Sequence, residues 1–214
     1  MALSVRLSSR CKAPVQCELT NPVMAQVYLA SSSPRRADLL RQLGISFEIV
    51  VPHVDESPLY SESPDAYVKR ISAAKARHVG NNADPDLPIV AADTVVVLKG
   101  KLMGKPRDRD HGLEMLGLLS GNTHQVMSAV SLCQGDVLET VTTETLVHFR
   151  QLTRDEREKY WQTGEPRDKA GGYGIQGLGA VFVESIQGSY SGVVGLPLME
   201  TAELLRRFGV DCLS

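Results

Sequence analysis

The chain has only four cysteines in 214 residues, Cys11, Cys17, Cys133 and Cys212. They form no CxxC pair and share no ligand spacing with a histidine, so neither a zinc site nor a disulfide framework is encoded, and all four read as reduced thiols. The five histidines, His53, His78, His111, His124 and His148, are scattered without an HExxH, which argues against a histidine metal centre. Long apolar runs are also missing. The longest, Pro88 to Leu98, is broken by Asp93 and Thr94 and falls short of the roughly 20 residues a bilayer-spanning helix needs, so no membrane partner is expected. Nor is there an excess charge of one sign. Against 25 acidic residues stand 23 Lys and Arg, a formal charge of -2. No global positive field exists to hold a nucleic acid, and an anionic ligand must be bound by a local cluster of cations. The absence of GxxxxGK[ST] excludes a P-loop, and Gly172-Tyr-Gly174-Ile-Gln-Gly177 is no dinucleotide fingerprint, because a strand rather than a helix is expected after it.

What is present is an ordinary globular composition, 43% hydrophobic, on a length that suits one domain or slightly more. Residues 1–25 differ from the rest: Arg6, Arg10 and Lys12 face only Glu18, and Pro14 and Pro22 interrupt any helix. They read as a disordered appendage without the apolar core of a secretory signal. Two readings stand side by side, an organelle-targeting peptide and a tail added by an upstream start codon, with Met24 just before the first structured stretch. A cytoplasmic protein is expected on either the second reading or the lack of a membrane segment.

From residue 26 to 214 the pattern is strand, turn, helix, undivided by a linker. Val27 to Ala30 reads as a strand, and Ser33-Pro34 starts a helix to Leu43 closed by Gly44. Ser46 to Val51 is the next strand. Ser63-Pro64 opens a second helix with Val68, Ile71, Ala74 and Val79 on one face and Lys75 near it. Leu87 to Leu98 suits a central strand, followed by turns at Gly100 and Gly104-Lys105-Pro106 and a helix from Arg109 to Leu119. Strands are expected at Thr123 to Leu132 and Leu138 to Phe149. Thr153 and Glu156 make a capping box for a helix through Trp161, Ala180 to Ile186 reads as a strand, and a last helix runs from Pro197 to Gly209. Hairpin-like strand pairs among helices predict an α/β fold with a mixed twisted sheet and flanking helices.

Several residues carry chemistry. Arg35 and Arg36 sit in the first turn of a helix, where the macrodipole disfavours cations. Together with free N–H groups and the hydroxyls of Ser31, Ser32 and Ser33 they make an anion pocket suited to phosphate, the alternative being two solvated arginines. Asp93 is a carboxylate within an apolar strand. It is either a general base or metal ligand at a cleft, with Thr94 beside it, or an acid satisfied by backbone amides. Lys75 and Lys105 add mobile positive charge or merely decorate the surface. Glu56, after a strand, either joins Asp93 in holding a divalent ion against phosphates or is an exposed turn acid. Asp168 to Gly177 is too glycine-rich for a regular element and brings backbone near a ligand. Its Gln176 offers an amide edge able to read a pyrimidine. Val194 to Pro197 is assigned no chemistry.

Leu29-Ala-Ser-Ser-Ser-Pro-Arg-Arg36, Val54-Asp-Glu56, Ala91-Ala-Asp-Thr-Val95, Gly104-Lys-Pro106, Ser120-Gly121, Lys169-Ala-Gly and Val194-Gly-Leu-Pro197, in this order, resemble the motif set of the Maf family from Val27 to Gly209. The resemblance implies an α/β fold of the Maf and inosine triphosphate pyrophosphatase type, with two lobes around a cleft and commonly a homodimer. It implies a nucleoside triphosphate pyrophosphatase that cuts between the α and β phosphates with a divalent cation, Mg²⁺ or Mn²⁺. By matching position, Asp93 becomes the proton acceptor that activates water. Ser31, Arg35, Arg36, Lys75 and Lys105 hold the triphosphate, and Glu56 assists through the metal. Arg35, Thr94 and Gln176 resemble the subgroup acting on dTTP and UTP rather than the one preferring 7-methyl-GTP. The family is also linked with septum formation and division arrest, so the rival reading is a regulator that binds triphosphates without turnover.

Overall fold

A computed structural model describes residues 24–212; of the expected N-terminal appendage only Met24 and Ala25 lie within them, and Cys11 and Cys17 fall outside. β1 (Val27–Ala30) leads through three serines to α1 (Pro34–Gln42), whose proline occupies the position where a missing N–H costs nothing. Gly44, at φ 74°, reverses the chain after it. β2 (Phe47–Ile49) is shorter than expected, and a long loop then reaches α2 (Pro64–Gly80), where the Ser63 hydroxyl accepts from the Ala66 N–H. The buried stripe of α2 is Val68, Ile71, Ser72, Lys75 and Val79. Its helical spacing rotates Ala74 to a half-buried flank and brings Lys75 to the centre.

β3 (Ile89–Leu98) is the expected central strand. It turns back through Lys99 and Gly100, both at positive φ, into β4 (Lys101–Met103), a short hairpin arm where only a turn is expected from the sequence. Asp108 caps α3 (Arg109–Leu119), and β5 (Thr123–Gln134) and β6 (Val137–Phe149) form the long antiparallel pair. α4 (Arg154–Gln162) begins with the full capping box of Thr153 and Glu156. Beyond it run three 3₁₀ turns, Glu165–Asp168, Ala170–Gly172 and Leu178–Phe182. The expected strand from Ala180 is therefore corrected. Phe182 is buried against Phe149 and Tyr160, which keeps 178–182 wound, and only β7 (Val183–Gln187) is extended. α5 (Tyr190–Val194), a single turn not expected from the sequence, precedes α6 (Leu198–Arg207).

The seven strands form one sheet in the order β2-β1-β3-β5-β6-β7, with β4 also on β3. β2, β1 and β3 are parallel and every other pairing is antiparallel, so the sheet is mixed as expected. Alternation along β3 divides the core. Val90, Ala92 and Val96 face a layer containing α1, α3 and α6, while Ile89, Ala91, Val95 and Val97 face α2. Asp93 has the parity of the α2 face and Thr94 that of the other.

The pairing on the far side of β3 is incomplete. β1 ends with Ala30 opposite Ala91, and β4, antiparallel to β3, reaches no further than Met103 opposite Val96. Residues 92–95 pair only with β5, leaving a four-residue opening in the sheet beside Asp93 and Thr94.

In the larger core layer His124 is 2% exposed, its Nε2 lies 2.8 Å from the Tyr173 hydroxyl, and its Nδ1 has no partner. Burial, reinforced by the nearby His148, lowers its pKa to about 4. The folded state thus holds it neutral, and the unfolded chain binds the extra proton first. Its stabilising contribution is complete above the unfolded value near 6.5 and is lost as pH falls toward 4. The urea midpoint should drop across that window, and His124→Phe should make the drop shallower.

Candidate active site

The opening in the sheet is the floor of a cavity of about 520 Å³, lined by Ser31, Arg35, Arg36, Glu56, Lys75, Asp93, Thr94, Lys105 and Gln176. All nine residues singled out in the sequence thus share one cleft, bounded by the β1–α1 turn on one side and the glycine-rich segment on the other.

Asp93 is 6% exposed, and its Oδ1 accepts from the Lys75 ammonium at 2.8 Å. Lys75 also meets Glu56 Oε1 at 2.8 Å, so one buried ammonium bridges two carboxylates, one deep and one half-exposed. The reading of Asp93 as an acid satisfied by backbone amides is not what the structure shows, and Lys75 is neither mobile nor superficial. The loop bearing Glu56 is pinned to α2. The Tyr67 hydroxyl donates to the Glu56 carbonyl at 2.8 Å, and Arg70 grips Glu62 through two bonds of 2.6 and 2.7 Å while reaching the Ser57 carbonyl. Burial and the negative charges of Asp93 and Glu56 push the Tyr67 hydroxyl up to about 12, so it remains a donor.

At the opposite wall the α1 N-terminus is uncapped. The Ser33 side chain makes no capping bond, and its own N–H donates to Ser31 Oγ at 3.1 Å. The first turn of α1 lines the cavity, at a helix end where an anion is favoured. The Arg36 guanidinium is held from behind by the Gly195 carbonyl at 2.9 Å, which gives a task to the Val194–Pro197 segment that the sequence left without one. Burial lowers the Arg36 pKa and Asp93 opposes the shift; the guanidinium stays a cation. Arg35 is not free, since Asp168 pairs with it at 3.2 Å. Lys105 is exposed at the rim. Its turn is tied to the glycine-rich segment by the Gly171 N–H donating to the Gly104 carbonyl at 3.0 Å.

Thr94 has a defined polarity. The Ser128 hydroxyl donates to the Gly192 carbonyl at 2.6 Å, which uses its one proton. The 2.8 Å contact between Thr94 and Ser128 must then carry the proton of Thr94, leaving only acceptor lone pairs for the cavity. Ser128 and Tyr67 were missed in the sequence, and Asp168 was read only as the start of the glycine-rich segment, not as the partner of Arg35. A serine in an apolar strand, directly opposite Thr94 in register, was the one available signal.

Among the described residues no three His, Cys, Asp or Glu side chains cluster as a metal site. Glu56 and Asp93 do offer two hard oxygen donors at one point of the cleft. That suits a Mg²⁺- or Mn²⁺-like ion whose remaining ligands are phosphate and water.

A mixed sheet opened beside a buried carboxylate, with cations and a bare helix end around it, defines an α/β protein with a charged cleft at the break in its sheet. The chain belongs to the family described as Maf-like protein, whose model matches residues 26–208. It is 53% identical over 190 residues to a dTTP/UTP pyrophosphatase of Alkalilimnicola ehrlichii, covering 86% of this chain and 94% of that one. Likewise it is 52% identical over 185 residues to a dTTP/UTP pyrophosphatase of Salmonella typhimurium, covering 86% and 94%. Among solved structures there is a weaker likeness to a nucleoside-triphosphatase / dITP/XTP pyrophosphatase from Mycobacterium abscessus. Its TM-score is 0.38 at 18% identity, over 59% of this chain and 75% of that one. No described helix is long and apolar enough to cross a membrane, and Cys133 and Cys212 are free thiols.

Proposed function

We propose that this protein is a nucleoside triphosphate pyrophosphatase that hydrolyses dTTP and UTP to the monophosphate and pyrophosphate. The observation that carries the reading is Asp93, a buried carboxylate held on Lys75 where the sheet is open, in one cleft with Arg35, Arg36 and a bare helix N-terminus. The relatives' names supply the substrate class.

In this reading the polyphosphate lies along Ser31, the first-turn N–H groups of α1, Arg35, Arg36 and Lys105. Arg35 exchanges the exposed carboxylate of Asp168 for a phosphate oxygen, one ion pair replacing another. Asp93 accepts the proton of a water aimed at the α-phosphorus, opposite the departing pyrophosphate. The cations offset charge growing on that leaving group, and positioning supplies most of the acceleration. Lys75 holds Asp93 and Glu56 in place through both carboxylates. A divalent cation, held by Glu56 and Asp93, supplies further neutralisation of the phosphates when bound. Thr94, as an acceptor only, and Gln176, with both an acceptor and donors, face the nucleoside end. Removal of surplus or non-standard pyrimidine nucleotides follows from such an activity. Triphosphates of this kind are cytoplasmic metabolites, which supports that location, and the family resemblance supports a homodimer of one domain spanning residues 26–214.

The test is release of pyrophosphate from a panel of nucleoside triphosphates with Mg²⁺ or Mn²⁺. Fast conversion of dTTP and UTP to monophosphates, with purine triphosphates at least about tenfold slower, is the expected outcome. Measurable binding without turnover of any triphosphate would promote the regulator instead, and chelation of the metal should abolish turnover.

A further inference from the structure

The glycine-rich rim of the cleft is built around one carboxylate. Glu165 Oε1 accepts from the Tyr160 hydroxyl at 2.7 Å and from the Gly179 N–H at 3.1 Å, and its Oε2 accepts from the Leu178 N–H at 2.9 Å. The Tyr160 hydroxyl in turn accepts from the Gly174 N–H at 3.0 Å. The backbone on both sides of Gln176 is therefore anchored to the same two side chains, while Gln176 itself is exposed at the cavity.

The glycines here are shaped to that pair. A Cβ on Gly174 would stand 2.8 Å from Lys169 Cε and 2.9 Å from Glu165 Oε1, one on Gly179 would stand 2.7 Å from the Tyr160 hydroxyl and 2.8 Å from the Gly174 carbonyl oxygen, and one on Gly177 would overlap Glu165 Oε2. None of the three has a positive φ, so space rather than backbone freedom demands glycine. Burial works to raise the Glu165 pKa, but bonds from Tyr160, Gly179 and Leu178 outweigh it and hold the group below the ordinary value, as an ionised acceptor. Lys169, donating to the Glu165 carbonyl at 2.8 Å, ties the same turn to the start of the segment.

We propose that Glu165, acting with Tyr160, is a positioning residue that fixes the height and direction of the Gln176 amide at the cleft, and so sets the preference for a pyrimidine base. The inference rests on the pyrimidine reading of Gln176 above. Neither Glu165 nor Tyr160 lines the cavity, so any effect on the ligand passes through the loop. An unmoored Gln176 loses the pre-organisation that makes one amide selective, whereas the phosphate groups, anchored on α1, Arg36 and Lys105, are untouched.

The experiment is calorimetric binding of dTMP, dAMP and inorganic tripolyphosphate to the wild type, Glu165→Gln, Tyr160→Phe and Gln176→Ala, with steady-state kinetics on dTTP. Expected are a fall of about tenfold in dTMP affinity for Glu165→Gln, a smaller one for Tyr160→Phe, and an unchanged affinity for tripolyphosphate. KM for dTTP should rise with kcat within about threefold, and adding Gln176→Ala to Glu165→Gln should cost almost nothing more, as for residues acting as one unit. Additive losses, an equal loss of tripolyphosphate affinity, or retention of the wild-type preference for dTMP over dAMP would each overturn it. Wild-type protein without that preference would show the pyrimidine reading itself to be wrong, and this inference would go with it. If Glu165→Gln does not fold, Tyr160→Phe, which keeps the carboxylate and two of its donors, carries the same comparison.

Discussion

Asp93→Asn should lower kcat for dTTP by at least about a hundredfold, in line with the contribution of a positioned general base. The amide keeps the size and shape of the carboxylate but has no lone pair basic enough to take a proton from water. Lys75 retains Glu56 as a partner, so the substitution leaves no buried cation alone. Binding should therefore survive. Calorimetry with a non-hydrolysable dTTP analogue in saturating Mg²⁺ should give an affinity within about threefold of the wild type, which separates a lost base from a lost metal ligand and assigns the loss to the chemical step. A kcat within tenfold of the wild type would remove Asp93 from the proton transfer, whatever the cleft binds.

Lys75→Met should have the largest effect on stability of any single change in the cleft. Both partners of the 2.8 Å pair are nearly buried, and removing the ammonium leaves Asp93 without its hydrogen-bonded cation, with only the more distant Arg36 to offset its charge and with Glu56 pointing at it. Breaking one side of a buried pair costs about 3–5 kcal/mol, more than the pair is worth against an apolar replacement of both. Methionine fills the same volume in the α2 stripe, so little of the loss comes from a cavity. Urea unfolding should show the drop in midpoint without a change in slope. The double variant Lys75→Met/Asp93→Asn should recover much of it, since the orphaned charge has gone. Equal losses in the single and double variants would mean that packing rather than charge is at stake.

The parts of this protein legible in the sequence are those written in local chemistry. Ser33-Pro34, Ser63-Pro64 and the Thr153–Glu156 box mark three helix starts because a cap or a proline acts within one turn. Asp93 stood out because a carboxylate within β-branched residues has to be explained. Long-range partners left no such trace. Nothing near β4 in the chain says that Met103 will lie against Val96, and nothing around Asp168 says that it will meet Arg35, 133 residues away. The winding of 178–182 likewise depends on Phe182 reaching two distant aromatic rings. Lys75 was read as mobile because lysine ordinarily is; only the tertiary fold puts its ammonium between two acids. Glu165 was overlooked for a related reason: its partners are backbone N–H groups, which every sequence has.

The cleft owes its existence to hydrogen bonds the sheet does not make. β1 halts opposite Ala91 and β4 waits until Val96, so over four residues the central strand behaves as an edge, in the middle of a molecule whose core is otherwise closed around it. Edges are usually guarded against stray pairing with charge or covering loops. Here the guards are the groups to which the proposed function gives the work: a carboxylate, an ammonium and two guanidiniums, charged groups that disfavour an extended apolar segment. Extending β1 by two residues would pair Ala92 and Asp93 and close half of that opening. The shortness of that first strand is thus as much a functional trait as any side chain in the cleft.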